Sequence, residues 1–393
     1  MFERPRPIGQ LTAPDVDDFL GSLRAVFESR RLTNDGALVQ QLEHRLAAFH
    51  DTRHCVALAN AGIGITMLLQ LFARGRRGEV IMPSFSYRGL PHFARWAGQE
   101  PRFCDVEEDS HALDPRTVEA AINSRTTAIL AVCNCHSTGD IAGLCRAAER
   151  AGIPILFDSV DALGGTHRDR RLGGFGQAEV YSVHATKLLN GFEGGYITTN
   201  EDRLAALLRW QRNFCLAGFE PGGAGADEDL VLGVNAKLNE IHAAMALLSL
   251  DRLDETVNRN RARASAYRAM CDGLPGIQLV LSARGEALSN CARLVAELTL
   301  PWPLSRDQMV ALLRAEGMPV AAYYHPLLHW SDALGDGPRQ HLPVSEALAR
   351  RFLQLPSGDL VSIGDIGSIG ALLEFVAVNG GAIRSRLADA GVA

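Results

Sequence analysis

The sequence predicts an α/β protein, with a mainly parallel, doubly wound sheet in a large first domain and a smaller α/β domain after it. Two observations carry this reading. Between residues 54 and 200, short β-rich runs alternate with helical patterns across short connections. After a long helical run that begins near Lys237, the pattern changes to helices mixed with isolated strands such as Leu294-Val-Ala-Glu-Leu298. With 393 residues, 47% of them hydrophobic and 21% charged, the chain is long enough for a well-filled core, and its length alone suggests two or three domains. The expected division is a large domain over 1–245, with a helical segment at its start, and a small domain over 246–393.

In chain order, Leu38, Leu42, Leu46 and Phe49 recur at helical spacing. They precede the strand His54–Leu58 and a helix from Ile65 to Phe72. Strands are expected at Glu79–Met82, Arg102–Cys104, Ala128–Cys133, Pro154–Phe157 and Ala178–Ser182. Between the third and fourth of these, Asp140 to Ala151 reads as a helix with an acidic cap at its start and Gly152 at its end. The run from Lys237 to about Ser265 reads as one hinge helix, and Gly222-Gly-Ala-Gly-Ala226 as a mobile loop.

The formal net charge is -6, and the densest basic cluster, Arg168-Asp-Arg170-Arg171, is interrupted by an aspartate, so nucleic acid is not an expected partner. No uninterrupted apolar run approaches the ~20 residues of a membrane span, and no apolar signal region follows the charges of the first residues. A cytoplasmic location is expected. The eight cysteines are scattered singly, without metal-site spacing or disulfide density, and read as buried thiols; no metal is expected.

In sheets of this kind ligands bind beyond the carboxyl ends of the strands, and four suggestive segments fall there: Ala59–Gly64, Pro83–Tyr87, Asp158–Asp161 and Ser182–Lys187. Lys187 lies between a β-like run and the pair Gly194-Gly195, where backbone can approach a ligand; it reads as a Schiff-base lysine or as a solvated charge. Asp158 ends an apolar strand, where a carboxylate can cap the next helix or hold a pyridinium nitrogen protonated. Ala61 and Gly62, in Asn60-Ala-Gly62-Ile-Gly64, open a helix whose amides could take a phosphate, or form only a tight turn. Ser182 could donate its hydroxyl to the same phosphate or simply end its strand, and Tyr87 could stack on a ring or join the core. A pyridoxal ring is the ligand that the aspartate and lysine together suggest.

At these residues the chain resembles the pyridoxal-phosphate sugar aminotransferases of the DegT/DnrJ/EryC1/StrS family, within fold type I. The resemblance runs in order from Leu32-Thr-Asn-Asp-Gly36 through Pro83–Tyr87, His184-Ala-Thr-Lys187 and Phe192-Glu-Gly-Gly195. It continues to Arg212-Asn-Phe214, Asn235-Ala-Lys-Leu-Asn-Glu-Ile241 and Leu355-Pro356. Arg212-Asn-Phe214, Leu188–Glu193 and His325-Pro-Leu-Leu-His329 are closest to enzymes acting on nucleotide-linked 4-keto-6-deoxyhexoses.

The resemblance implies pyridoxal 5'-phosphate held as an aldimine on Lys187, which then shuttles the proton. Asp158 would hold the ring nitrogen, Tyr87 would stack, Ser182 would bind phosphate, and Ala61, Gly62 and Asp161 would lie against the cofactor. Asn235 would reach the phosphate of the neighbouring subunit's cofactor, which makes the expected assembly a homodimer with shared active sites. The implied reaction is ping-pong transfer from an amino acid, glutamate or glutamine, to a keto sugar.

Several positions depart from the family pattern. Gly62 stands where a phosphate-binding threonine is usual, and Asp161 where a glutamine or histidine is usual, near the ring's phenolic oxygen. Cys133, Cys135 and His136 replace a histidine, an aromatic and a glycine. Cys135 and His136 are not expected to act as a nucleophile pair, because neighbours on a strand point apart. The departures leave two alternatives beside the aminotransferase: a diverged relative performing elimination or carbon–carbon chemistry, and a non-catalytic sensory relative. Retention of Lys187 argues against the family's dehydratase branch, where a histidine replaces it. His184 is given no catalytic role.

Overall fold

The computed structural model describes residues 8–216, 232–281, 290–331, 340–389 and 391. The expected loop at Gly222–Ala226 lies outside the described residues.

Two helices open the chain, α1 (Val16–Ser29) and α2 (Ala37–His50). There follow β1 (His54–Leu58), α3 (Ala61–Ala73), β2 (Glu79–Pro83), α4 (Leu90–Trp96), β3 (Glu100–Cys104), α5 (Pro115–Ala121), β4 (Thr126–Val132), α6 (Ile141–Ala151) and β5 (Ile155–Asp158). A short hairpin of β6 (Thr166–His167) and β7 (Arg170–Arg171) leads to β8 (Ala178–Ser182), β9 (Gly195–Thr199) and α7 (Asp202–Gln211). The second half contains α8 (Glu240–Asp251), α9 (Leu253–Asp272), β10 (Ile277–Val280), β11 (Leu294–Leu298), α10 (Arg306–Ala315), β12 (Ala321–Ala322), α11 (Pro343–Arg351), β13 (Phe352–Leu355) and α12 (Ile363–Asp389).

The main sheet has seven strands in the order β1-β9-β8-β5-β4-β2-β3. All neighbours run parallel except β9, which is antiparallel to both β1 and β8. The expected strands are present with ends moved by up to two residues, as strand ends commonly are. The sequence reading missed β9, whose Gly195-Tyr-Ile-Thr-Thr199 is fully buried and shows no alternation. Apolar layers cover both faces: Leu58, Met67, Leu68 and Val180 belong to one core, Ile129, Leu144, Ile155 and Phe157 to another.

The expected hinge helix is two helices. The chain breaks at Arg252 (φ -103°, ψ 10°), after which α9 runs into a second core formed with α10, α12 and the sheet β10-β11-β13-β12. Helix α12, with 27 residues, is long and apolar enough to cross a membrane by length and composition, although Asp365 and Glu374 interrupt its apolar run. Its Ile366, Ile369, Leu373 and Val376 are buried in that second core.

Candidate active site

The connections that follow β1, β2, β4, β5 and β8 meet along one edge of the main sheet, beyond the carboxyl ends of those strands. Residues 60–64, 84–87, 133–138, 158–161 and 182–187 lie on them. Because β9 runs the other way, its first residue reaches the same edge: Gly195 pairs with Leu58 on one side and Ser182 on the other. A Cβ at Gly195 would run into the backbone nitrogen of Ala61, so glycine keeps the concavity between the two segments open.

Lys187 sits in a tight loop fixed by backbone bonds from Lys187 N to His184 O (2.8 Å) and from Ala185 N to Phe192 O (2.9 Å). The left-handed Phe192 (φ 63°) and Gly194 (φ 140°) turn the chain back into β9. The His184 ring bonds Thr186 Oγ1 at 2.7 Å, which is a loop-forming contact. Lys187 Nζ donates to Asp161 Oδ1 at 3.0 Å, and Arg293 Nη2 lies 3.3 Å from Asp161 Oδ2. The three groups line a cavity of about 100 Å³ with Gln10, Asn290 and Gln354. Burial alone would raise the Asp161 carboxyl, but Arg293 and Lys187 outweigh it and hold the pKa down to about 2. Asp161, where the family usually has a glutamine or histidine, is therefore paired twice.

Asp158 ends β5, three residues before Asp161, and behaves in the opposite way. It is 8% exposed. Burial raises its pKa to about 6, the Asp161 charge adds to this, and the Val160 amide and the charges of Lys187 and Arg293 oppose it. One oxygen accepts from Val160 N at 3.1 Å, so the residue does cap the following turn. Such a carboxylate gains by having a cationic ring nitrogen beside it.

Helix α3 begins beside Gly195. Asn60 caps it by accepting from Ile63 N at 2.8 Å, and the helix does not use the amides of Ala61 and Gly62, which remain suited to an anion. At Gly62 a Cβ would lie 2.6 Å from the Phe93 ring, so the missing threonine follows from the position of that ring. Ser182 Oγ accepts from His184 N at 3.2 Å, at the end of β8. Tyr87 is 54% exposed, with its ring tilted against Phe93 at 6.5 Å. These residues fit pyridoxal phosphate: an amine, a buried carboxylate, a helix amino terminus and a glycine-lined concavity share one edge of the sheet.

Cys133, Cys135 and His136 lie beyond the end of β4, in a turn where Asn134 N donates to Ser137 O, so the alternation of a strand does not apply to them. Cys135 Sγ and His136 Nδ1 are 3.6 Å apart, contrary to the expectation that they diverge. They still do not form a nucleophile pair, because burial pushes the Cys135 thiol up to about 12 and the His136 imidazole down to about 3. His136 Nε2 instead meets His111 Nδ1 at 2.8 Å. Asn235 is exposed and outside the Lys187 cavity, and its Oδ1 accepts from Lys237 Nζ at 2.7 Å.

Three residues that the sequence reading did not single out organise this edge. Arg293, just before β11, reaches Asp161 only through the fold. Gln10, 1% exposed, donates its amide N–H to Thr186 O (3.0 Å) and its side-chain amide to Ala292 O (2.5 Å), and accepts from Asn260 Nδ2 (2.7 Å). Glu179, on β8 opposite Phe157 of β5, is fully buried and accepts from Gly173 N, Phe175 N, Ser159 Oγ and Tyr181 OH. A carboxylate with four donors is a satisfied structural group. No periodicity in the sequence marks any of the three.

Several of the motifs that carry the resemblance are structural. Glu240 accepts from Leu38 N (2.9 Å) and Val39 N (3.0 Å), thereby capping α2, and Gly36 leaves room for its carboxylate. Arg212, 5% exposed, joins Glu43, Asp35 (3.1 Å) and Ala57 O (2.8 Å). A wider groove of about 840 Å³ at the opposite edge of the sheet, lined by Gln70, Arg76, Glu149 and Gln177 among others, contains none of the expected site residues.

Residues 15–374 match the model of the DegT/DnrJ/EryC1/StrS aminotransferase family. The dTDP-4-amino-4,6-dideoxy-D-glucose transaminase of Escherichia coli is 28% identical over 366 residues, 91% of this chain and 94% of that one. The dTDP-3-amino-3,4,6-trideoxy-alpha-D-glucose transaminase of Streptomyces venezuelae is 30% identical over 359 residues, covering 86% of this chain and 90% of its own. The crystal structure of DesI in the presence of its TDP-sugar product superposes with a TM-score of 0.90 at 36% identity, over 98% of this chain and 96% of that one. With a match of this extent added to the α/β scaffold, the chain belongs to the DegT/DnrJ/EryC1/StrS aminotransferase family.

Proposed function

We propose that the protein transfers the amino group of an amino acid, L-glutamate or L-glutamine, to a nucleotide-linked keto sugar, with pyridoxal phosphate as cofactor. The observation that carries this reading is the Lys187 ammonium held on Asp161 in a cavity at the carboxyl edge of the sheet, one strand end from the buried Asp158. Family membership and the dTDP-sugar relatives support the sugar substrate over elimination, carbon–carbon chemistry or a sensory role.

In this reading Lys187 is the amine that would hold the cofactor's aldehyde carbon and, once released, would carry the proton between the two reacting carbons. Asp158 keeps the ring nitrogen protonated. Ala61 and Gly62 amides and the Ser182 hydroxyl take the phosphate, and Tyr87 covers the ring. Asp161 would face the ring's phenolic oxygen, with Arg293, 3.3 Å from its Oδ2, offsetting its charge. When bound, pyridoxal phosphate supplies an electron sink for the pair left behind as the proton departs. Lys187 must be neutral to take up the cofactor's aldehyde carbon, so its ion pair with Asp161 would open when the cofactor binds. We take the assembly to be a homodimer in which the exposed Asn235 reaches the neighbouring subunit's cofactor, and sedimentation of the purified protein as a monomer would overturn that part.

Purified with cofactor, the protein should bleach in the near-ultraviolet to visible range on addition of L-glutamate or L-glutamine, and recover on addition of a dTDP-4-keto-6-deoxyhexose. Lys187→Ala should abolish borohydride-stable attachment of the cofactor. Attachment retained at full stoichiometry in that variant would reject Lys187 as the linking residue.

A further inference from the structure

We propose that the groove at the opposite edge of the main sheet binds a nucleoside diphosphate, at a site separate from the lysine loop and independent of the amino transfer.

The groove has a volume of about 840 Å³. Small-molecule sites run from roughly 300 to 1,000 Å³, so the space is far larger than a bare phosphate needs. It is lined by the ends of α3 and α6, the first two turns of α7 and the segments entering β5 and β8. Phe72, Ile153, Leu204 and Leu207 supply apolar surface for a ring.

The polar lining is rich in donors that have no partner in the protein. Arg74, Arg76 and Arg203 are exposed in the groove, and among the described residues none of the three side chains has an ion pair or a hydrogen bond. Other arginines of the helices that line it are committed: Arg150 of α6 pairs with Glu119, and Arg209 of α7 with Glu43. Two carboxamides add donors of fixed direction. Gln177 Oε1 accepts from Ile155 N at 2.7 Å, and Gln70 Oε1 accepts from Gln211 Nε2 at 3.1 Å. With each oxygen anchored, each NH2 group is turned away from that partner as an unspent donor. Guanidinium forks match phosphate oxygens two at a time, so this donor set calls for a phosphorylated ligand.

The groove also holds two carboxylates outside any ion pair, Glu149 and Glu201. They decide between a nucleotide and a bare anion. Ribose hydroxyls and the N–H groups of a base are donors that these carboxylates accept, whereas pyrophosphate brings them only like charge. Strands β5 and β8 start at the groove and end at Asp158 and Ser182, so a ligand here sits at the far ends of the two strands that carry those residues.

The test uses the holoenzyme and an Arg74→Glu/Arg203→Glu variant, whose two changes are at exposed positions away from the lysine edge. Calorimetric titrations with ADP and with UDP compare the two proteins, and inorganic pyrophosphate and adenosine are titrated separately. Nucleotide binding at the catalytic edge is common to both proteins and cancels in the comparison. We expect the wild type to bind a nucleoside diphosphate at a site whose Kd rises on the order of 10- to 100-fold in the variant. Pyrophosphate and adenosine alone should each bind more weakly than the intact nucleotide. Cys145, a half-buried thiol that lines the groove, localises the ligand. In a Cys215→Ser background, iodoacetamide should modify Cys145 more slowly when ADP or UDP is present, read by peptide mass. Equal affinities in the wild type and the variant, or no binding of either nucleotide at millimolar concentration, would overturn the proposal. Pyrophosphate binding as tightly as both nucleotides would overturn the assignment of a nucleoside.

Discussion

Asp158 and Asp161 stand three residues apart and are predicted to respond to the same substitution with opposite signs in the cofactor-free protein. Asp158, with its pKa raised from 3.8 to about 6, binds its proton more tightly in the folded state, so the fold is penalised as pH rises above about 4 and fully so above about 6. At 1.36 kcal/mol for each tenfold in acidity, that gap corresponds to about 3 kcal/mol at pH 7.5. Asp158→Asn removes the titration and can keep the Val160 amide as a donor, so it should stabilise the cofactor-free protein at pH 7.5 by up to about 3 kcal/mol, with little effect at pH 4.

Asp161 has its pKa lowered from 3.8 to about 2, so its contribution is complete above about 4 and lost as pH falls towards 2. Asp161→Asn should therefore cost about 2 kcal/mol at pH 7.5 and leave Lys187 and Arg293 without their shared counter-charge. Urea denaturation of both variants after cofactor removal, followed by circular dichroism at pH 4 and pH 7.5, reads the two effects. Equal stability of Asp158→Asn and wild type at pH 7.5, or a difference that does not change with pH, would refute the argument. In the loaded enzyme Asp158→Asn should retain cofactor and slow turnover strongly, which separates the stability effect from the chemical one.

The remaining predictions concern the scaffold around the site. Gly62→Thr, the residue usual in the family, should destabilise by roughly 1–3 kcal/mol through overlap with the Phe93 ring, and a second change, Phe93→Ala, should relieve the overlap; thermal melts of the three variants check this. Glu240→Ala strips two amides of α2 of their acceptor and should cost about 2–4 kcal/mol, measured as a shift in the denaturation midpoint with the cofactor bound and removed. Cys135→Ser should leave the bleaching rate with the amino donor unchanged within about threefold, because a thiol held near 12 supplies no thiolate at neutral pH; a 100-fold loss would return Cys135 to the chemistry.

The placement of the candidate site residues was legible wherever they fall at a strand end. Lys187, Asp158, Ala61, Gly62 and Ser182 stand on the same sheet edge because parallel strands end there, which period and spacing reveal. Strand β9 was not legible, since a buried strand of Gly, Tyr, Ile and Thr shows no alternation. The break at Arg252 was hidden because α8 and α9 continue the helical pattern across a single non-helical residue. Arg293 and Gln10 were out of reach for a different reason: their partners at Asp161 and Thr186 are more than a hundred residues away in sequence, and only tertiary packing joins them. Arg212 and Glu240 were read correctly as marks of the family, but their contacts are with Glu43, Asp35 and the start of α2. Such motifs record how the scaffold closes, and say little about which sugar it serves.

Gln10 has a consequence for the order in which the molecule is made. It is synthesised before any strand of the main sheet, yet Asn260 and Ala292, to which its side chain bonds, are 250 and 282 positions further on. A nascent chain that has completed the whole seven-stranded sheet still lacks both anchors, so the strap over the lysine loop can close only after the second half has emerged and begun to fold. Synthesis thus builds the sheet edge early and seals it late, and a chain stalled before residue 260 should expose its lysine loop to solvent and to protease.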